Sequence, residues 1–588
     1  MKASDTCYYL SDDYRTLTRI RSRLGPSCIV KLLGARFHKG IEEVKQDFLK
    51  FSHSINFRNR SEIYWENQLG SRNSATIPLL RYLVYFHCVR QLMEEISGRL
   101  ILICDSIALA KVIADEAMDR GIPYRIFFSP TESFNVLKLY ARLFLKGNYF
   151  LGRGLLLWLY TKTLNHEPIN VERSKERYIL RSWVTAGCLN EKGSYRDRNF
   201  GILATYLEEQ GKEAWTLPMY FNLDRNIFSQ LKLMSKSSGK FIFSERFLNP
   251  RDYFRTLRDG IKNIFIDLSK TPFEGQDVSS VVREIHLDFG LASEQLQRST
   301  VRYLIKNLSK KRIPIKSFIY PIENNASEKP FILAARRYYP ESVIVGFQHT
   351  VWFKEQLGMF LLPEEVTYHP LPDKIICSGK RYLQILKNAG FPDEIINSGP
   401  NLRYTAMSQN FQALDTERRE TLRRILIILN FDVNQSMELL EKTGQAMGDL
   451  ENIKIFIKAH PTTPLKEMET FLQMIRFPEY EWGSGTVQEL VTSSDVVLMT
   501  GGSVSNLETM ATGIPLLRFS LGSNFDFDCL WDDYPFAPFL HTSEDIRHYL
   551  EKALKGDPQM LKKLAEFGKK MVGDYFEPVT PEHLRVFL

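Results

Sequence analysis

The stretch KIFIKAHPTT, residues 454–463, ends an apolar run in a cation, an imidazole and a proline. Lys458, His460 and Pro461 therefore arrive where a buried strand would leave a sheet, the side on which open α/β sheets bind ligands. An ammonium and an imidazole there suit a phosphate oxygen, and the imidazole could protonate a leaving phosphate. Two further strand ends carry matching groups. IILNFDVNQS places Asn430, Asp432 and Asn434 after one; LMTGGSVSNLE places Thr500, Gly501, Gly502, Ser503, Ser505 and Glu508 after the other. Glycines let the backbone approach a ligand closely, and the helix expected next offers free N–H groups and a positive dipole end. Glu508, on that helix, could turn back to a ribose hydroxyl. Plain capping, with Ser503 as N-cap and Glu508 on a solvated face, accounts for this motif taken alone. Three strand ends of one sheet together point to a phosphate-bearing ligand. No GxxxxGK[ST] pattern occurs, so the turn is not a P-loop.

These residues need a scaffold, and the alternation of the chain predicts one. From residue 423 short apolar runs alternate with helical patterns: RRILIILNFD, NIKIFIKAHP, DVVLMTGGS and IPLLRF are the strands, which implies a doubly wound parallel sheet. A second α/β unit starts at YILRSWV and closes at IINSGPNLRY; it contains IKSFIYP, SVIVGFQHT and KIICSG. A third is read near the N-terminus from SCIVKLLGA, RLILIC and IPYRIFF. The expected partition is an N-terminal α/β domain (1–132), a basic amphipathic segment and linker (133–177), an acceptor-side Rossmann-like domain (178–408) and a donor-side one (409–588). The polar stretches NHEPINVERSKER and DTERRE mark the joins.

A His-Pro pair after a strand, then a Ser-rich strand–helix turn running into ETMATGIPLLRF, resembles the donor half of GT-B glycosyltransferases. The likeness is to bacterial sialyltransferases, Kdo transferases and CDP-glycerol-type polymer transferases, and the whole pattern is similar to bacterial surface-carbohydrate biosynthesis proteins. It covers about residues 178–520. It implies two Rossmann-like domains facing across a cleft, with an additional N-terminal α/β domain here. It also implies His460 as phosphate ligand or leaving-group acid, Ser503 and Ser505 as phosphate cradle, and Glu508 as ribose ligand. The acidic acceptor motif of the sialyltransferase type is not found.

The facing half should then supply a base for the acceptor hydroxyl. FIYPIENNASEK offers Glu323, and VIVGFQHTVWF offers His349. Asp197, in SYRDRNFG, stands between two arginines and reads equally as a structural ion pair. Arg403, in SGPNLRY, lies at the expected crossing between the halves and could reach donor phosphates. No DxD strand-end motif of the metal-dependent type is found, and no obligate metal or cofactor is expected. The acids of NFDFDCLWDDY (524–534) read as a solvated loop rather than a cation site.

Bulk properties bound the rest. In 588 residues the formal charge is +8, too dilute to argue for nucleic acid, and no RNA- or DNA-binding motif is found. Seven scattered cysteines without a CxxC pair read as free thiols of a reducing, cytoplasmic compartment. No apolar run is long enough for a membrane span. Residues 133–166 combine five Lys/Arg and no acid with Leu, Phe, Trp and Tyr. They read either as core helices with a basic edge or as a segment lying at the inner face of a membrane. The leading function is an inverting, metal-independent glycosyltransferase using a nucleotide-sugar donor and a glycan or lipid-linked acceptor. A sugar-nucleotide epimerase or hydrolase, and a non-catalytic scaffold, are the alternatives.

Overall fold

The computed structural model describes residues 6–24, 29–128, 136–165, 169, 176–189, 193–221, 223, 226–404 and 423–588. Most of both expected joins, and Cys28, lie outside the described residues.

Three parallel sheets organise the chain. The first contains β1 (Thr6–Leu10), β2 (Ile29–Lys31), β3 (Leu100–Cys104) and β4 (Tyr124–Phe128) in the order β2-β1-β3-β4. The second contains β5 (Arg177–Val184), β6 (Glu213–Tyr220), β7 (Ser317–Pro321), β8 (Val343–Phe347), β9 (Lys374–Cys377) and β10 (Ile396–Ser398), ordered β10-β9-β8-β7-β5-β6. The third contains β11 (Arg423–Ile428), β12 (Ile453–Lys458), β13 (Tyr480–Trp482), β14 (Val496–Thr500), β15 (Leu516–Phe519) and β16 (Phe539–Leu540), ordered β13-β12-β11-β14-β15-β16. Every strand pair in these sheets is parallel. Parallel strands covered on both faces read as continuous apolar runs. This is why LILIC and VVLMT, buried at every position, are legible in the sequence.

The architecture is of GT-B type, two six-stranded Rossmann-like sheets, with a smaller α/β unit added before them. In the third sheet the strand order reverses between β11 and β14; in the second it reverses between β5 and β7. Ligands of open α/β sheets bind at such switch points.

The N-terminal unit differs from expectation in detail. SCIVKLLGA contributes only the three residues of β2 and then enters α1 (Ala35–Asn59). The central strand β1, TCYYL, escapes the sequence pattern, because it is short and Thr6, Tyr8 and Tyr9 break up the apolar run. α2 (Leu79–Glu95) packs beside α1, and α3 (Val136–Thr163) is one continuous helix rather than a pair. Among the described residues no helix is long and apolar enough to cross a membrane.

The C-terminal part ties the two large sheets together. α4 (Pro558–Tyr575) packs on the helix after β14, and then the chain returns to the second sheet. Glu577 N–H donates to Ser378 O at 2.7 Å, Asn401 N–H donates to Glu577 O at 2.9 Å, and the Phe587 ring meets Phe347. Residues 576–588 thus pack on the second sheet, although the expected partition places all of 409–588 with the third.

The segment 520–534 overturns the expectation of a solvated loop. Asp526 and Asp528 are 6% and 1% exposed. Asp528 takes Arg518 Nη1–H at 2.8 Å, while its own N–H donates to Glu355 of the second sheet's unit at 2.8 Å. Trp531 Nε1–H donates to Trp352 O, and Arg381 pairs with Asp533. On the N-terminal side His38 Nε2 meets Leu521 O at 2.7 Å, and Tyr85 O–H donates to Ser523 O. Among the described residues, no group of three or more His, Cys, Asp or Glu is placed to hold a metal.

Burial and neighbouring acids push Asp526 and Glu355 up to about 8, and burial pushes Glu438 up to about 7. In the unfolded chain carboxyl groups ionise at about 4. The folded state therefore holds protons that the unfolded state has lost, and stability falls as pH rises through this window. The melting temperature is expected to drop by several degrees between pH 6 and pH 9. Asp526→Asn should flatten that slope; an equally steep profile in the variant would remove Asp526 as its source.

Candidate functional site

Register brings the expected strand-end groups of the third sheet to one level. Ile428 stands opposite Lys458 on one side and Met499 on the other. Asn430, His460 and Gly501, each two residues further on, therefore share the carboxyl edge of the sheet. Adjacent strands lie about 4.8 Å apart, so His460 and Gly501 are about 10 Å apart with Asn430 between them. One phosphate oxygen cannot touch both; a ligand lying along the edge can meet them in turn.

The turn between β14 and α5 (Ser505–Thr512) is built by hydrogen bonds to its backbone. Asn506 Nδ2 donates to Thr500 O, Gly501 O and Ser503 O at 2.9–3.1 Å. Asn430 Nδ2 donates to Thr500 Oγ1 at 3.2 Å and to Gln435 Oε1 at 2.8 Å, closing the switch point. Ser503 Oγ accepts from Ser505 N–H at 3.2 Å. A Cβ at Gly501 would stand 2.5 Å from Asp526 O, so glycine is needed for close approach to the 520–534 segment. Glu508 lies in the first turn of α5, mostly covered; burial raises its carboxyl and Ser505 lowers it. Sequence reasoning missed Asn506. Its signal is an amide directly after the Ser-rich turn and before Leu507, where an unpaired buried amide would be costly.

His460 is half-buried, its ring against Phe431. Nδ1 accepts from Thr462 N–H at 3.2 Å and meets Thr462 Oγ1 at 2.7 Å. The neutral ring then carries its proton on Nε2. Burial lowers its pKa, so the neutral form prevails at pH 7. Pro461 is exposed at the start of the turn. Lys458 departs from expectation: its Nζ donates to Gly485 O at 2.6 Å and to Gly483 O at 3.4 Å, on the β13 side away from the glycine turn. Asp432 caps the helix Val433–Met447, accepting from Asn434 N–H at 2.8 Å.

In the facing half, the two candidate bases meet. His349 Nε2 lies 3.4 Å from Glu323 Oε1, and Asn325 Nδ2 donates to Glu323 Oε2 at 2.6 Å. Burial, with the Arg403 cation second, drives His349 far below its usual pKa and keeps it neutral. Burial raises Glu323, while Asn325, Arg403 and Arg298 oppose the rise. Arg403 itself is exposed, its guanidinium over the Tyr404 ring at 5.2 Å. Tyr404, raised mainly by burial, also feels the charge of Glu508 across the cleft. The two halves are held face to face by the 520–534 segment: Cys529 Sγ–H donates to Ser503 O, just before Trp531 and Asp533 reach the second sheet's unit. Asp197, by contrast, is a scaffold residue. It is 6% exposed and accepts from Ser182 Oγ, Tyr195 O–H, Asn199 N–H and Phe200 N–H, with neither neighbouring arginine as partner.

No family model matches the chain, and no curated protein matches it in sequence. Solved structures that resemble it include a glycosyltransferase from Rickettsia africae (TM-score 0.40, 11% identity, covering 71% of this chain and 97% of that one). Another is MurG of Acinetobacter baumannii (TM-score 0.40, 11% identity, 70% and 98%). A third is the UDP-GlcNAc 2-epimerase of Neisseria meningitidis bound to UDP-GlcNAc (TM-score 0.37, 11% identity, 67% and 98%).

Asn506→Ala would leave three carbonyls of the turn without their donor. The expected cost is about 2 kcal/mol in a denaturant titration. An unchanged midpoint would show that the turn keeps its shape without the amide.

Proposed function

We propose that the chain is a metal-independent, inverting glycosyltransferase using a nucleotide-activated sugar. The reading is supported by the β11/β14 switch point with its glycine turn, and by the Glu323–His349 pair at the strand ends of the second sheet. In this reading the donor lies along the third sheet's edge, its phosphate against the Ser503 and Ser505 hydroxyls and its ribose at Glu508. The donor favoured by the His-Pro and Ser pattern is a CMP-linked ulosonic acid. The acceptor hydroxyl oxygen bonds to the anomeric carbon, its proton passes to Glu323, and the bond from that carbon to the phosphate oxygen breaks. The departing negative charge is met by His460 Nε2–H and by the Ser503 and Ser505 hydroxyls, donors carried at the strand ends. His349 holds Glu323 in place.

The acceptor in this reading is a surface-polysaccharide or lipid-linked glycan, met at the inner membrane face. What supports this is α3: Tyr140, Phe144, Leu145, Tyr149, Leu156 and Leu159 are all more than half exposed on a helix without an acid. Apolar side chains beside Lys and Arg suit an interfacial helix.

The epimerase reading uses the same edge but needs no acceptor, so products separate the two. A thermal-shift panel of CMP, CDP, UDP and GDP tests the donor site by mass action. One nucleotide is expected to raise the melting temperature of the wild type, and His460→Ala should lose most of that rise; no rise with any nucleotide would overturn the proposal. With the nucleotide sugar so identified, Glu323→Gln should keep nucleotide binding and lose transfer by about 100-fold or more. Unchanged turnover would move the base elsewhere.

A further inference from the structure

A second pocket opens at the carboxyl ends of β5 and β6, beside the switch point of the second sheet. It measures about 750 Å³ counting the part open to solvent. Arg181, Arg298 and Arg153 line it together with Glu245, Tyr220 and Thr300. Arg181 rises from the middle of β5, between Leu180 and Ser182, and is 2% exposed. Its Nη2–H donates to Ser327 O, while Nη1 is buried with no partner. Glu245, fully buried, sits beside Tyr220 and Arg153. Burial raises Glu245, while Arg153 and Tyr220 oppose the rise. Glu294 occupies one N–H of Arg298 at 3.0 Å, and Arg298 lies over the Trp183 ring. A buried guanidinium with an idle donor is costly unless something accepts from it. Planar N–H forks pair best with phosphate or carboxylate.

Position supports the same reading. Glu323 acts electrostatically on Arg298, so the pocket adjoins the group assigned as base. Arg153 belongs to α3, whose outer face is the apolar one.

We propose that this pocket is an acceptor subsite that binds an oxyanion of the acceptor, a phosphoryl group or a sugar carboxylate, between Arg181 and Arg298. The assignment to the acceptor rests on the glycosyltransferase reading; the anion site itself does not. An acceptor hydroxyl would then reach Glu323 with its anionic group anchored one strand away.

The test uses the full chain, as wild type and Arg298→Gln, in thermal-shift titrations with inorganic pyrophosphate and with glucuronate. Each is run with and without a saturating amount of whichever nucleotide stabilises the donor half. Pyrophosphate or glucuronate is expected to add a further rise in the wild type even with nucleotide present, which blocks the donor site. In Arg298→Gln the apparent affinity should weaken about tenfold, while the nucleotide shift is unchanged. Pyrophosphate alone points to a phosphorylated acceptor, glucuronate alone to an acidic glycan. No added rise in the wild type, or an equal rise in both forms, overturns the pocket whatever the nucleotide result. Absence of any nucleotide shift with the anion effect intact overturns the donor reading instead. If Arg298→Gln does not fold, Arg153→Gln on the opposite wall takes its place, with the same outcomes.

Discussion

The buried carboxylate of Asp528 is the point on which the assembly turns. It takes Arg518 from β15, and its backbone donates to Glu355 in the loop that follows His349. Around it the 520–534 segment touches all three units, through Tyr85 and His38 on one side and Trp352 and Arg381 on the other. Charges in such a place are tolerated only when paired and hydrogen-bonded. That requirement is what orders the segment. An ordered segment in turn sets the distance between the glycine turn and the Glu323–His349 pair.

The N-terminal unit gains a role from this arrangement. Its strand ends do not face open solvent. The turn and helix after β1, with α2, approach the third sheet after β11: Arg15 N–H donates to Asn434 Oδ1, and Asp12 and Arg81 act on Asp432. Tyr14 O–H donates to Glu441 at 2.6 Å. The unit therefore buttresses the wall of the crevice where the donor edge begins. Its helices α1 and α2 carry a core of their own.

Within the cleft the work is divided by environment. His460 keeps a neutral ring whose Nδ1 is occupied, which leaves Nε2–H as the donor. His349, more deeply buried and close to Arg403, is held neutral more firmly. The carboxylates Glu323 and Glu508 are each raised by burial and relieved by a neighbouring amide or hydroxyl. It is these shifted groups that the proposed transfer would use.

Much of this is legible in the residues. Apolar runs broken by Gly, Pro and polar clusters mark nearly every strand of the two large sheets, because parallel strands must be apolar on both faces. The strand-end groups Asn430, His460 and Thr500–Ser505 are legible for a related reason: polar side chains clustered where buried strands end mark the binding edge of such a sheet. What the sequence does not contain is partnership. Lys458 has the makings of a phosphate ligand until Gly485 O claims its ammonium, and Asp197 suggests an ion pair with its flanking arginines until four other donors enclose it. Glu323 and His349 lie on different strand ends and can be judged only singly before the adjacency of β7 and β8 brings them together. The acids of 524–534 pass for solvated because composition alone cannot tell a charge in water from a charge paired in a core. Local pattern determined the elements and their polar ends; strand order and long-range hydrogen bonds, which depend on residues far apart in the chain, decided which of those ends form a site.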